Sequence, residues 1–166
     1  MSNTFIFFDL ETTGLITNNC MPKITELSLI AVSRNAICNT TKTLPRVLSK
    51  LVLPINPVTY ISENVETITG LSSQNLEDVK SFTCETHGMI INFIKQLIPP
   101  VCFVAYNGYK FDYPIFLKEL ENINKDVSEE ILCIDMMHLI INFFSNKDSL
   151  SKKSAIQANT STFYNT

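Results

Sequence analysis

Hydrophobic positions in the first third of the chain predict three β-strands. Residues 5–10 are apolar up to Asp9, and residues 24–33 form a second run that is apolar enough for the centre of a sheet. A third strand is predicted within residues 36–53, where Pro45 indicates a strand edge or end because proline donates no ladder hydrogen bond. The short connections favour an antiparallel meander of these three strands.

Helical spacing of apolar residues replaces this pattern in the second half of the chain, apart from two short apolar runs. The predicted elements there are a helix over residues 85–98 that ends at Pro99 and Pro100, a strand over 101–107, a helix beginning near Pro114, a strand over 131–135 and a helix over 136–144. Short helices and turns fill residues 60–79, with Ser62 and Ser73 as helix-cap candidates. The order βββαβαβα predicts an α/β fold in which helices flank a mixed central sheet.

Composition separates a folded region from a polar C-terminal stretch. Hydrophobic residues make up 45% of the 166 residues and charged residues 17%, which is typical of a globular domain. We assign residues 1–144 to this domain. Residues 145–166 are rich in Ser, Thr, Asn and Lys, and we predict that they form a disordered tail.

Charge is distributed unevenly along the chain. The net charge of −3 excludes a general electrostatic attraction to nucleic acid. Residues 23–50 nevertheless contain five Lys or Arg side chains and a single acid, Glu26. This segment is interpreted either as a solvated face or as a contact for nucleic-acid phosphates, with Arg46 and Lys50 as candidates.

Cysteine spacing and the lengths of the apolar runs indicate the compartment. The five cysteines are scattered and never spaced as Cys-x-x-Cys, so we expect reduced thiols, with Cys102 and Cys133 in the core. No apolar run reaches the roughly 18 residues of a transmembrane helix. The N-terminal apolar run ends at Asp9, too early for a signal peptide. We therefore expect a cytoplasmic or nuclear protein without a membrane partner.

Two acids, Asp9 and Glu11, interrupt the first apolar strand. Side chains at positions i and i+2 of a strand point to the same face, so these carboxylates lie side by side. Neighbouring carboxylates repel each other and resist desolvation, which predicts a positive partner. Mg²⁺ is the simplest candidate because it prefers one or two carboxylates together with water and substrate phosphate.

Two further acids stand where later strands end. Asp112 follows the strand at 101–107 and precedes a helix, and Asp135 ends the strand at 131–135. Ligands of such sheets gather near strand ends, which makes both acids candidates for the same site. The alternative interpretation of each is a helix cap, a position that Asp favours.

Five sequence blocks together resemble the three-prime repair exonucleases. They are FDLETTGL at 8–15, ITELSLIAV at 24–32, LPRVLSKLVLP at 44–54, ITGLS at 68–72 and VAYNGYKFDYPIF at 104–116. The resemblance extends from about Phe5 to about Phe144. It implies the RNase H-like fold of the DEDD exonucleases and a metal-dependent 3′→5′ exodeoxyribonuclease of DNA repair or degradation. The implied substrates are the 3′ ends of single-stranded DNA or frayed duplex DNA.

The same resemblance implies catalytic and metal-binding roles for Asp9, Glu11 and Asp112. Two Mg²⁺ ions, for which Mn²⁺ can substitute, would lie about 3.5–4 Å apart at these carboxylates. Leu15 and Ile68 match apolar positions that pack on the terminal bases. The full set of substrate-binding positions carried over from the family is Thr12, Thr13, Leu15, Ile68, Asn107, Lys110 and Phe111. A homodimer joined edge to edge is also implied, with residues 42–53 as the counterpart of its contact.

The family's third motif, a His followed five positions later by an Asp, is absent from this sequence. Asn92 stands five positions after His87, and Phe143 stands five after His138. In the family this His is the general base, and loss of such a base costs on the order of 10²–10⁴ in rate. Three hypotheses follow: an exonuclease whose sequence ends early, a catalytically dead module that binds nucleic acid, and a remnant that does not fold stably alone.

Overall fold

Five strands form one mixed sheet with the first strand at its centre. In the computed structural model, which describes residues 2–18, 20–126 and 131–145, the strands are β1 (Thr4–Thr12), β2 (Ile24–Ser33), β3 (Val47–Pro54), β4 (Val101–Ala105) and β5 (Leu132–Asp135). Their order is β3-β2-β1-β4-β5. The pairs β1–β2 and β2–β3 are antiparallel, whereas β1–β4 and β4–β5 are parallel. The predicted antiparallel meander and mixed sheet are confirmed.

The helices connect and flank these strands. They are α1 (Arg34–Asn39), α2 (Glu63–Thr69), α3 (Cys84–Lys95), α4 (Asp112–Asn122) and α5, which covers residues 136–145 of the described chain. The hydroxyl of Ser62 caps α2 as predicted, by accepting the N–H of Val65. Ser73 caps no helix, and its hydroxyl instead accepts the N–H of Ile61 at 3.0 Å.

The region predicted to hold the third strand contains a helix before the strand begins. Residues 34–39 form α1 because the Ser33 hydroxyl accepts the N–H of Ala36 at 3.0 Å and caps the first turn. Strand β3 starts two residues after Pro45 and lies at the edge of the sheet, as that proline indicates.

The core lies on one face of the sheet, against α3 and α4. Alternate residues of β1, among them Ile6, Phe8 and Leu10, are almost fully buried on this face. The ring of Phe8 lies 5.4 Å from that of Phe103 in β4 and 5.3 Å from that of Phe116 in α4. Burial of aromatic surface at these centroid distances holds the sheet to α4 and fixes the position of the helix start.

Two predictions from composition have different outcomes. Cys102 is buried in the central strand β4, as expected, but Cys133 is exposed because β5 is an edge strand with one side uncovered. Apart from Ser145, the predicted polar tail lies outside the described residues. Within the described chain, no helix combines the length and the apolar character needed to cross a bilayer.

Candidate metal and nucleic-acid site

Strand β1 presents Asp9 and Glu11 on the face opposite the core. The residues between and beside them, Leu10 and Phe8, point into the core with 5% or less of their surface exposed. The side chain of Asp9 is exposed and that of Glu11 is partly buried. The predicted pairing of these two carboxylates on one face of the strand is confirmed, and the strand period of two residues is its cause.

Asp112 reaches β1 through a gap left by β4. Strand β4 pairs only with residues 4–7 of β1, so the later backbone of β1 has no strand partner on that side. The N–H of Leu10 there donates to the Asp112 carboxylate at 3.2 Å. Phe111, not Asp112, occupies the N-cap position of α4. The interpretation of Asp112 as a helix cap is therefore wrong, because its carboxylate binds the neighbouring strand instead.

The loop between β4 and α4 sets this position. Asn107 adopts a left-handed backbone with φ 58°, and its carbonyl accepts the N–H groups of Lys110 and Phe111. Gly108 packs so closely that an added Cβ would lie 2.6 Å from the Cβ of Ala105, which makes glycine necessary. The carbonyl of Gly108 accepts the N–H of Tyr113, so this tight turn leads directly into α4 with Asp112 at its start.

Loss of solvation raises the pKa of all three carboxyl groups, and neighbouring negative charges add to it for Glu11 and Asp112. Burial raises the pKa of Asp112 to about 6, with smaller contributions from the negative charges of Asp9 and Asp135. The side chain of Asp9 is exposed, but partial desolvation still raises its pKa. For Glu11 the cause is again burial first, followed by the charges of Asp9 and Glu26. Asp9 thus interacts electrostatically with both Glu11 and Asp112, and the described residues include no ion-pair partner for these three acids.

A divalent cation fits the chemistry of this donor set. The ion pairs among the described residues are Lys23–Glu119, Lys80–Glu85 and Lys118–Glu121, so no described Lys, Arg or His neutralises the three acids. Carboxylate oxygens are the ligands that Mg²⁺ and other hard cations prefer. In the described residues no three His, Cys, Asp or Glu side chains converge enough to hold a metal as they stand. Binding would therefore require side-chain movement toward the ion.

Asp135 lies near this cluster but has a different environment. Only 1% of its surface is exposed, and its carboxylate accepts the N–H groups of Asn107, Tyr109 and Met137 at 2.9–3.1 Å. Burial alone would raise its pKa, but the backbone donors, including the N–H of His138, lower the pKa below its usual value. The interpretation of Asp135 as a helix cap is confirmed by its bond to the N–H of Met137 in α5.

Glu26 is an acid of this cluster that the sequence reasoning missed. It lies directly opposite Glu11 in the β1–β2 register, and directly opposed residues share one face of an antiparallel pair. Its charge helps to raise the pKa of Glu11. The signal was present in the predicted meander, since aligning the two strands as a hairpin places ITELS against FDLET.

The substrate-binding positions carried over from the family are spread around this cluster. Leu15 and Ile68 are 78% and 83% exposed, and Lys110 is also exposed. The Thr12 hydroxyl donates to the Gly14 carbonyl at 2.7 Å, and the Thr13 N–H donates to the Lys23 carbonyl at 2.9 Å.

Two of these positions lie in the turn before α4. Phe111 is partly buried, and the side-chain oxygen of Asn107 is buried without a hydrogen-bond partner among the described residues. The structure thus brings Asn107, Lys110 and Phe111 together in the turn before Asp112, while Ile68 belongs to a different element, α2.

The fold and the acidic cluster define a class of protein. Residues 6–160 match the family described as Exonuclease (RNase_T), and the chain belongs to that family. Membership implies dependence on a divalent metal. The chain is 34% identical over 144 residues to three prime repair exonuclease 2 of Mus musculus, a match that covers 82% of this chain and 60% of that protein. It is 33% identical to three-prime repair exonuclease 1 of Homo sapiens, over 80% of this chain and 45% of that protein.

Solved structures give the same fold. A zinc-bound complex of E. coli exonuclease I with single-stranded DNA superposes with a TM-score of 0.64 at 17% identity, covering 84% of this chain and 29% of that one. A product-bound structure of exonuclease I gives a TM-score of 0.65, also at 17% identity, over 84% of this chain and 31% of that one. The predicted RNase H-like exonuclease fold is confirmed. The chain spans about half the length of the curated relatives, at 45% to 60%.

Proposed function

We propose that this chain is the exonuclease domain of a metal-dependent 3′→5′ exodeoxyribonuclease. The proposal rests on the cluster of Asp9, Glu11 and Asp112, which lies where β4 has ended and β1 continues. Its carboxylates repel one another and have no neutralising side chain among the described residues. Membership of the exonuclease family, and similarity to proteins named for three-prime repair, support this reaction.

In this proposal Asp9, Glu11 and Asp112 hold two Mg²⁺ ions, for which Mn²⁺ can substitute. When bound, such ions lower the pKa of water and stabilise charge on the attacking and leaving oxygens. The protein's contribution is positional. The Leu10 N–H fixes the Asp112 carboxylate at β1, and the packing of Phe8 on Phe116 fixes α4 behind it. The acids are thereby held on elements of the core rather than on loops.

We further propose that single-stranded DNA is the substrate, as suggested by the fold shared with an exonuclease I complex that contains it. Leu15 and Ile68 have the exposed apolar surface needed to pack on terminal bases. Lys110 is exposed beside Asp112 and suits a phosphate of the substrate strand. The Thr13 N–H is already bonded to Lys23, so a contact of Thr13 with the terminal 3′ hydroxyl would use its carbonyl oxygen.

A second candidate function is binding of DNA 3′ ends without cleavage. The sequence contains two histidines and lacks a His-x4-Asp spacing. Of the two, His138 packs edge-on against Tyr109 with ring centroids 5.6 Å apart, and His87 lies on α3, the helix that packs against the core. Neither supplies the general base of the family's third motif. A domain of this kind would bind metal and DNA ends and turn over slowly or not at all.

The deciding experiment incubates a 5′-labelled single-stranded oligonucleotide with the purified protein and Mg²⁺. We expect a ladder of products shortened from the 3′ end, abolished by EDTA and by Asp9→Asn. Asp78→Asn, which alters an exposed acid outside the cluster, is the matched control and should leave the ladder unchanged. Binding of 3′ ends by a folded protein without shortening would establish the second candidate. Neither binding nor shortening would overturn both.

A further inference from the structure

A mixed polar and apolar cleft of about 690 Å³ lies beside the end of β1. Its walls come from the β1–β2 connection, the loop at residues 55–60 that follows β3, and the C-terminal half of α4. This volume is within the range of pockets that hold small organic ligands. Its lining includes the side chains of Thr13, Lys23, Tyr60, Phe82, Glu119 and Asn122.

The wall of the cleft contains a buried carboxylate with weak hydrogen bonds. Glu119 is only 7% exposed, yet its oxygens lie 3.3–3.4 Å from the Lys23 ammonium and 3.3 Å from the Asn122 amide. The exposed ion pairs Lys80–Glu85 and Lys118–Glu121 close to 2.7 Å. Both hydrogen bonds to Glu119 go to the same oxygen, Oε2, and a carboxylate has about four acceptor sites. The Glu119 carboxylate therefore retains acceptor capacity toward the cleft.

The remaining groups match the other parts of a nucleotide. The Lys23 side chain is 42% exposed, and an ammonium has three donors, so it can bind a phosphate in addition to Glu119. Tyr60 is 72% exposed and offers a ring face for stacking. Phe82 and aliphatic side chains supply an apolar wall. A planar ring with an exocyclic amine would donate to Glu119, as adenine N6 and cytosine N4 can.

We propose that this cleft is a nucleotide-binding site, separate from the acidic cluster, that prefers nucleoside monophosphates with an amino-bearing base. The cleft is connected to β1 by two hydrogen bonds between Thr13 and Lys23. The Thr13 N–H donates to the Lys23 carbonyl at 2.9 Å, and the Lys23 N–H donates to the Thr13 hydroxyl at 3.0 Å. Thr13 is two residues beyond Glu11, so a ligand on Lys23 contacts the segment that extends from the metal-binding strand.

The test is isothermal titration of the protein with dAMP, dCMP and TMP in EDTA, which removes metal-mediated binding and makes the result independent of nuclease activity. We expect dAMP and dCMP to bind and TMP, whose base has no exocyclic amine, to bind about tenfold more weakly. Glu119→Gln should weaken dAMP binding about tenfold. Glu121→Gln, on the same helix but outside the cleft, should bind dAMP like the unmodified protein.

A second variant, at an exposed residue of the cleft, provides a test if Glu119→Gln folds poorly. Tyr60→Ala changes an exposed side chain, and loss of stacking should weaken binding of all three nucleotides about fivefold or more. Absence of binding by any nucleotide would overturn the site. Equal affinity for TMP and dAMP, or an unchanged affinity in folded Glu119→Gln protein, would overturn the assignment of the base to Glu119.

Discussion

Asp112 and Asp135 are both buried aspartates at the open end of the sheet, and their environments are opposite. Burial, followed by the charges of Asp9 and Asp135, raises the pKa of Asp112 to about 6, and the N–H that it accepts from β1 at 3.2 Å offsets this only in part. Asp135 accepts several backbone N–H groups, and they lower its pKa despite burial. A carboxylate saturated with donors stabilises the fold. A buried carboxylate that has few donors and lies close to other carboxylates is suited to bind a cation.

The largest expected effect is on activity, from Asp112→Asn. The amide oxygen can still accept the Leu10 N–H, so the fold should remain, while one charged ligand of the metal is lost. We expect exonuclease activity to fall by about 10²–10³-fold, the range measured when one catalytic charge-stabilising group is removed. The measurement is single-turnover cleavage of a labelled oligonucleotide. Full activity in the variant would remove Asp112 from the site.

The next largest effect is expected on the free energy of unfolding of the metal-free protein, to which Asp112 and Asp135 should contribute with opposite dependence on pH. The pKa of Asp112 is higher in the folded state, about 6, than the ordinary 3.8, so the folded protein binds more protons between these values. Stability from this group is therefore greatest below pH 4 and is lost as pH rises to 6, by about 2–3 kcal/mol. Asp135 has the opposite sign, since its lowered pKa makes its contribution disappear as the pH falls below about 4.

Urea unfolding in EDTA from pH 4 to 8 measures this slope. Asp112→Asn should flatten the fall between pH 4 and 6, whereas excess Mg²⁺ should reverse it, because the ion binds the ionised carboxylates. A stability that rises from pH 4 to 6 in EDTA would contradict the assigned environment of Asp112.

Asp135→Asn should destabilise the protein without acting through the metal. An amide has one acceptor oxygen in place of two, so buried N–H groups of Asn107, Tyr109 or Met137 would lose their partner. The expected loss is about 1–3 kcal/mol in the free energy of unfolding. Thermal unfolding with and without Mg²⁺ should show the same decrease in both. A decrease confined to the Mg²⁺-bound protein would instead make Asp135 a metal ligand.

The smallest effect is expected at Lys110, in the turn that binds Asp135 through its N–H groups and leads into Asp112. Lys110→Ala should weaken single-stranded DNA binding severalfold and reduce the slope of log affinity against log salt by about 0.7, as for one phosphate contact. Fluorescence anisotropy over a salt series measures both. Lys125→Ala, another exposed lysine, is the control and should leave the slope unchanged. Equal slopes in both variants would remove Lys110 from the phosphate contact.

The sequence predicted those features of the site that depend on local periodicity. The two-residue period of β1 placed Asp9 and Glu11 together, and the short connections gave the antiparallel meander. Features that depend on tertiary contacts were missed or left open. Nothing local distinguishes Asp112 from Asp135, since both follow apolar strands and precede helices. Their difference arises from how many backbone N–H groups the folded loop at residues 106–111 directs at each carboxylate.

Other misses have the same origin. Glu26 belongs to the cluster only through the register between β1 and β2, which local periodicity within either strand does not reveal. Helix α1 was overlooked because six residues are too few to show helical periodicity, although Ser33 carries the capping signal. The sequence does not distinguish Glu119 from an ordinary exposed acid of a helix, because its burial depends on the tertiary contacts that form the cleft.

The unequal lengths of β1 and β4 have a consequence for which changes the domain tolerates. Strand β1 has nine residues, but β4 pairs with the first four and ends at Ala105. The second half of β1 is therefore unpaired on its β4 side, although β1 is the central strand of the sheet. If β4 were two residues longer in the same register, it would pair with more of β1 and displace Asp112. We expect the rest of the fold to remain intact. Insertions after β3 should leave the acidic cluster in place by comparison, so the length of the β4–α4 segment determines the position of Asp112.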